Sequence, residues 1–374
     1  MTLAGAARRP AVVKFGGSAF RTPEAYGLLA RALSDRIAAD GRRLIVVAGA
    51  RPGETEALRE RLYAVHPHPA DALGAGLLTL AETISAQLLA AALQRAGRSS
   101  TVLAGHRIGL TTTSTFLRAR LENIDPGPPA DALAEYETVV VPGGQAVDAE
   151  LRPTSLGRNS ADLTAVAMAA AVGADRCEIH SGVDGVRSAD PRLVAGTRLL
   201  PDLSYATAAL MSLHGAAVLH RRAVRLAGQH RITIVHRLNR APFPVGTTVG
   251  ETGAEAAAVI VNRRSVVLRY TDDAAADRAH LTFGSEGVDT VRLEDGPRVA
   301  VIGGHPDLDG FRTRHGLPPA HRDGVPVTEV SGGRALVHVA PDEAGAVRLA
   351  QELHEPLTAG NGPRLTSVRP HRRE

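Results

Sequence analysis

The segment Lys14-Phe-Gly-Gly-Ser18 puts an ammonium, two glycines and a hydroxyl at the end of a short apolar run. Glycines let backbone N–H groups approach phosphate oxygens closely, and a helix starting just beyond them adds positive potential. A lysine at such a strand end can neutralise charge on a phosphoryl group in transfer. The order differs from the Walker pattern, where lysine follows the glycines. The lysine is also singular: of 43 Lys and Arg residues, Lys14 is the one lysine. Lysine and arginine exchange freely on a solvated surface, but not where a compact point charge is needed. Two further charges suit the two ends of an amino acid. Glu82 lies in a helical pattern among small apolar residues, and Arg158 in a loop before a helix. A carboxylate takes an ammonium, and a guanidinium fork takes a carboxylate. Plainer readings stand beside these: a solvated helix face for Glu82, one arginine among many for Arg158, and a first-turn acid held by the helix dipole for Asp162.

These residues need a scaffold, and the chain is patterned for one. Ala11–Phe15, Leu44–Val47, Thr138–Val141, Arg176–His180 and Ile232–Val235 read as buried strands. Between them, residues 23–38, 71–95, 160–172 and 216–228 carry apolar positions at helical spacing. Continuous apolar strands alternating with helices predict an α/β fold, a mostly parallel sheet sandwiched by helices. Ligands then sit where strand C-termini meet glycine-rich loops. The pattern changes near residue 250. Strands at 259–261, 265–270, 298–302, 325–330 and 335–339, with one clear helix at 342–354, predict a small α+β unit. The expected division is 1–250, 251–357 and a basic tail at 358–374, read as disordered.

Composition narrows the classes. The chain has 374 residues, 44% hydrophobic and 22% charged, as in a globular protein of two or three domains. Its net charge of +4 is spread along the chain and aromatics are only 3%, which argues against a nucleic-acid footprint. One cysteine, Cys177, excludes an intrachain disulfide or a cysteine zinc site. No run of about 18 apolar residues stands out as a membrane span. A cytoplasmic protein is expected, with no nucleic-acid or membrane partner. His66 and His68 lie in a proline loop without a partner cluster, His220 reads as a packed helix histidine, and Cys177 as buried and inert.

Taken in order, the motifs resemble the amino acid kinase family, and within it the aspartokinase branch. Lys14–Ser18 is similar to the family's first motif. Leu80-Ala-Glu-Thr-Ile-Ser85 resembles its Gly-Glu-x-x-Ser helix, and Phe116–Leu121 the segment that follows. Thr154–Ala165 resembles the Leu-Gly-Arg-Gly-Gly-Ser-Asp loop, and Cys177–Arg192 the run ending Val-Asp-Gly-Val-Tyr-x-Ala-Asp-Pro-Arg. Gly215–His220 resembles Gly-Ala-Lys-Val-Leu-His; Val299–Gly303 and Leu336–Leu357 resemble a regulatory ACT domain. The resemblance implies transfer of the γ-phosphoryl of ATP to the side-chain carboxylate of L-aspartate. The product would be 4-phospho-L-aspartate, on the route to lysine and threonine. It implies ATP and Mg2+, with no protein ligand for the metal named. Lys14 and Asp162 would be catalytic. Lys14, Gly16, Gly17, Ser18, Ser181, Arg187, Asp190, Arg192 and Val218 would meet the nucleotide. Thr55, Glu82, Arg158, Ser160 and Asp162 would meet the amino acid. A homodimer through the ACT-like unit is also implied.

The chain departs from the family pattern at defined places. A second active-site lysine is Ala217 here, and Arg221 or Arg222 could supply the missing charge. The Gly-Gly-Ser of the substrate loop is Asn159-Ser160-Ala161, the Ser-Ala after the second strand is Gly49-Ala50, and an acid and a tyrosine near the nucleotide are Gly182 and Arg187. Two alternatives therefore stay open: a carboxylate kinase for another amino acid in a specialised pathway, or a catalytically weak ACT-type regulatory subunit.

Overall fold

The strand Ala11–Phe15 (β1) is buried at all five positions, because its apolar run meets helices on both faces of a sheet. The computed structural model describes residues 9–305 and 307–358; the expected tail beyond 358 lies outside them. These residues divide into two compact units. One comprises residues 9–186, 201–209 and 217–253, the other residues 187–200, 210–216 and 254–358.

The first unit is built on an eight-stranded sheet among the described residues. β1 lies at its centre, flanked by Leu44–Ala48 (β2) and Arg176–Ser181. Beyond β2 come Thr138–Pro142 and then Ser100–Val102; beyond Arg176–Ser181 comes Thr233–Leu238. All these neighbours pair in parallel. Val245–Gly250 turns back, antiparallel to Thr233–Leu238, and Asp202–Ser204 beside it runs the same reversed way. The predicted α/β sandwich is what forms, with one antiparallel edge. A second sheet of four short strands, from Leu110–Thr112 to Pro153–Ser155, was not anticipated. Its strands are three or four residues long, too short for an apolar period to register.

Helices cover both faces. Pro23–Asp40 (α1) buries Tyr26, Leu29, Leu33 and Ile37 against Val13, Phe15 and Val46. Glu54–Val65 (α2) and Asp71–Leu78 (α3) follow, then Leu80–Arg95 (α4). Asp71–Arg95 is, by length and composition, long and apolar enough to cross a membrane, which corrects the reading that no such run exists. Here Ala86, Leu89, Ala90 and Leu93 of α4 sit in the core with α1 and β1, and Glu82 interrupts the run. The helix expected over 216–228 starts only at Arg221 and runs to His230, so the Gly215–His220 motif is a turn with His220 at the helix N-cap, not inside it.

The second unit is α+β and ACT-like. The long strand His321–Ser331 pairs antiparallel with Ala258–Val261, Val266–Arg269 and Arg334–Ala340. Arg298–Val301 and Thr290–Arg292 extend the sheet. Three helices accompany these strands rather than one: Asp273–Ser285, Leu308–Arg314 and Glu343–Thr358. Asp273–Ser285 escaped notice because its buried face is Ala275, Ala276, Ala279 and Phe283, mostly small residues with a weak apolar signal. Residues 187–200 pack with this unit. Val259 donates its N–H to Ser188 O (2.7 Å), and Ser188 Oγ lies 2.8 Å from Nε2 of buried His354.

The turn after Thr138–Pro142 sets the position of the helix Ala161–Ala171. A Cβ on Gly143 would lie 2.4 Å from Ala161 Cβ, so only glycine lets the strand end meet the helix start. Gly143→Ala is expected to cost about 1–3 kcal/mol by overpacking. Denaturant unfolding checks this; an unchanged midpoint would show that the contact relaxes freely.

Candidate active site

Lys14 stands fourth in β1, on the sheet side covered by the helix Ala161–Ala171. That helix places Asp162 in its first turn. Lys14 Nζ lies 2.8 Å from Asp162 Oδ1, with both residues buried, 9% and 4% exposed. Asp162 Oδ2 accepts the backbone N–H of His220 at 3.3 Å. The structure thus joins three sequence motifs distant in the chain: the first strand, the substrate loop and the Gly215–His220 turn.

The glycines act by absence. A Cβ on Gly17 would meet Ala50 O at 2.3 Å, so the loop after β1 closes on the loop after β2 only with glycine there. At Gly16 a Cβ would sit 3.4 Å from Lys14 Nζ, so glycine leaves the ammonium uncovered on that side. Gly16 donates to His180 O (3.1 Å). The helix expected immediately after the glycines is set back: a single 3-10 turn, Gly17–Phe20, precedes α1. Ser18 Oγ accepts from Asn239 Nδ2 at 3.3 Å.

The proposed amino-acid contacts come from other elements. Glu82 lies in the first turn of α4 and is partly buried. Burial pushes its carboxyl up to about 7, opposed by a backbone hydrogen bond. Its side chain meets no other residue's donor among the described residues. Arg158 is exposed and makes no ion pair among them. Its neighbour Asn159 takes φ +56°, a left-handed conformation that asparagine tolerates better than most residues. Asn159 therefore keeps the turn that a family glycine would make. Ser160 is buried at the helix N-cap and donates to Gly157 O at 2.6 Å. Thr55 is the second residue of α2 and half-buried.

Of the proposed nucleotide contacts, Ser181 ends the strand beside β1, its Oγ 2.8 Å from His236 Nε2. Val218 is half-buried in the turn before His220. Arg187, Asp190 and Arg192 belong to the second unit. There Arg187 bonds to Thr197, and Arg192 forms a two-point pair with Asp190 at 3.0 and 2.7 Å. Arg222, one candidate for the missing cation, donates to Ala119 O at 3.1 Å. Cys177 is fully buried, and burial raises its thiol pKa well above the ordinary value, as expected of an inert residue.

Sequence reasoning missed Ser85 as a positioning residue. Buried Ser85 accepts both Tyr26 O–H (3.3 Å) and Arg51 N–H (3.2 Å), tying α4 to α1 and to the loop after β2. The signal was present in its matched Gly-Glu-x-x-Ser motif, but a serine alone announces no partner. Gly144 N–H to Thr164 Oγ1 (2.8 Å) is a similar link, unmarked in sequence.

Glu82 provides a pH test. Its folded pKa is raised, so the burial cost is absent below about 4.5 and fully present above about 7. Glu82→Gln should therefore stabilise the fold more at pH 8 than at pH 5, read as the shift in thermal midpoint. An equal shift at both pH values would refute the assignment.

Comparisons with known proteins identify the family. The aspartokinase of Mycobacterium tuberculosis is 37% identical over 243 residues, 64% of this chain and 57% of that protein. The aspartokinase of Corynebacterium efficiens is 38% identical over 220 residues, 58% of this chain and 51% of that protein. The chain thus spans little more than half the length of these curated relatives. The crystal structure of E. coli aspartokinase III in complex with aspartate and ADP superposes with a TM-score of 0.70 at 19% identity, covering 93% of this chain and 99% of that one. Aspartate kinase from Synechocystis superposes with a TM-score of 0.55 at 26% identity, over 86% of this chain and 60% of that one. The sequence profile of the amino acid kinase family matches residues 9–236, well over half the chain, and the protein belongs to that family.

Proposed function

We propose that this protein is a cytoplasmic aspartokinase, transferring the γ-phosphoryl of ATP to the side-chain carboxylate of L-aspartate. In this reading residues 1–250 form the catalytic domain, 251–357 an ACT-like regulatory domain that pairs two copies, and 358–374 a basic tail. The observation that carries the reading is the buried Lys14–Asp162 pair beside Gly16 and Gly17, with Glu82 and Arg158 making no ion pair among the described residues. Relatives named aspartokinase at 37–38% identity support it.

The acceptor carboxylate is already an anion, so the reaction needs positioning and charge neutralisation rather than a strong base. Glu82 would hold the amino group and Arg158 the α-carboxylate, with Thr55 and Ser160 beside them. Lys14 would face the transferring phosphoryl, while Asp162, anchored by the His220 N–H, holds the ammonium in place. Ser18, Ser181 and Val218 would contact the nucleotide. No three His, Cys, Asp or Glu side chains converge among the described residues. Magnesium would come with the nucleotide, held largely by phosphate and water.

With ATP, magnesium and hydroxylamine, hydroxamate should form with aspartate and with no other carboxylic amino acid of a panel. Product from another acid alone would reassign the substrate, and none with any acid would remove the kinase reading. Lys14→Ala should lower turnover by about a hundredfold or more, the scale of losing one charge-stabilising donor. Parental turnover in that variant would refute Lys14's role.

A further inference from the structure

Cross-strand register places Lys14 opposite Ile179, Ile179 opposite His236, and His236 opposite Thr247. Facing residues on neighbouring strands share one side of the sheet, so these four form a row on the side of Lys14 that meets Asp162. Two members of the row hold the loop that leaves the Arg176–Ser181 strand. Thr247 Oγ1 accepts the N–H of Val186 at 2.9 Å, and His236 Nε2 lies 2.8 Å from Ser181 Oγ. His236 is 0% exposed, and its Nδ1 has no hydrogen-bond partner among the described residues.

His236 is neutral at pH 7. Burial pushes its pKa down to about 4, Asp162 and Asp184 acting to raise it and Lys14 and His180 to lower it. A neutral imidazole carries one ring proton. On Nδ1 that proton would be a buried donor without an acceptor, a costly arrangement. On Nε2 it is satisfied by Ser181 Oγ. That oxygen already accepts the N–H of Val183 at 3.3 Å. Two donors fill both lone pairs of the hydroxyl, and the serine's own proton is left for a third group.

We propose that His236 is a positioning residue whose Nε2–H tautomer makes the Ser181 hydroxyl an obligate donor, reserved for a hydrogen-bond acceptor on the bound nucleotide. The role of the serine proton rests on the ATP reading above; the tautomer does not. A side chain at 236 that cannot donate would leave a serine lone pair unfilled and the hydroxyl free to rotate away, costing the nucleotide a bond.

Ring 15N shifts of His236 in the nucleotide-free protein at pH 7 read the tautomer directly. A protonated Nε2 with a bare Nδ1 is expected; a protonated Nδ1, or an imidazolium, overturns the proposal. Calorimetric titration with ATP reads the consequence. His236→Leu and Ser181→Ala should each weaken binding about tenfold, the scale of one hydrogen bond, and the double variant no further. His236→Gln, whose amide can donate, should recover most of the loss, with thermal midpoints confirming that each variant folds. Additive losses, or no rescue by glutamine, overturn it. Absence of ATP binding by the parent would overturn the nucleotide reading and the serine's role with it, whatever the tautomer.

Discussion

A lysine and an aspartate buried against each other are the constraint around which the rest of the first unit is arranged. Removing two charges from water costs several kcal/mol per ion, and their attraction offsets this only with good geometry and further hydrogen bonds. Lys14 and Asp162 have a 2.8 Å contact, and Asp162 gains the His220 N–H. Such a pair is a poor source of stability compared with packed apolar residues. Its persistence at the end of the central strand is better explained by what an ammonium can do there. β1 brings the lysine, Ala161–Ala171 the acid, and the Gly215–His220 turn the N–H, so parallel strands, covering helix and turn must all be in register.

The loops around the pair are shaped by missing side chains. Gly17 permits contact with Ala50 O, Gly143 permits contact with Ala161, and Gly16 leaves Lys14 Nζ uncovered. Charges farther out are treated differently. Lys14 is neutralised within the protein, whereas Glu82 is left partly buried with a raised pKa and Arg158 extends from an exposed turn. A partly buried carboxylate held only by its own backbone N–H is unfavourable for the fold alone. A carboxylate and a guanidinium with no ion pair among the described residues would, in the reading proposed above, suit the two ends of a zwitterion.

The parallel sheet and the candidate residues were more legible in the sequence than the contacts that position them. Lys14 was conspicuous because no other lysine competes with it, and the glycines because few strands end in two. The parallel sheet followed from long apolar runs such as Leu44–Ala48, buried throughout. What stayed hidden depends on partners remote in sequence. Ser85 bridges Tyr26 and Arg51, and His236 meets Ser181, 55 residues away. Neither serine nor a lone histidine carries a periodic or compositional signature. The Asp273–Ser285 helix was missed for another reason: alanines bury as well as leucines where helix and sheet lie close, yet contribute little apolar signal.

The departures from the family pattern are of two physical kinds. Asn159 replaces a glycine but holds φ at +56°, so the turn carrying Arg158 keeps its shape. Ala217 removes a charge: the residue is exposed, and of the two arginines that could supply one, Arg222 donates to the Ala119 carbonyl. Backbone geometry is thus kept at one departure, and a charge is lost at the other. In the kinase reading proposed above, the burden of neutralising a phosphoryl group would fall on Lys14 and on fixed dipoles, the loop around Gly17 and the N-terminus of Ala161–Ala171. Dipoles of this sort need no desolvation of a second ion and hold their orientation through the backbone. They act only over short distances, which makes the close approach allowed by Gly16 and Gly17 more important here than in a site with two lysines.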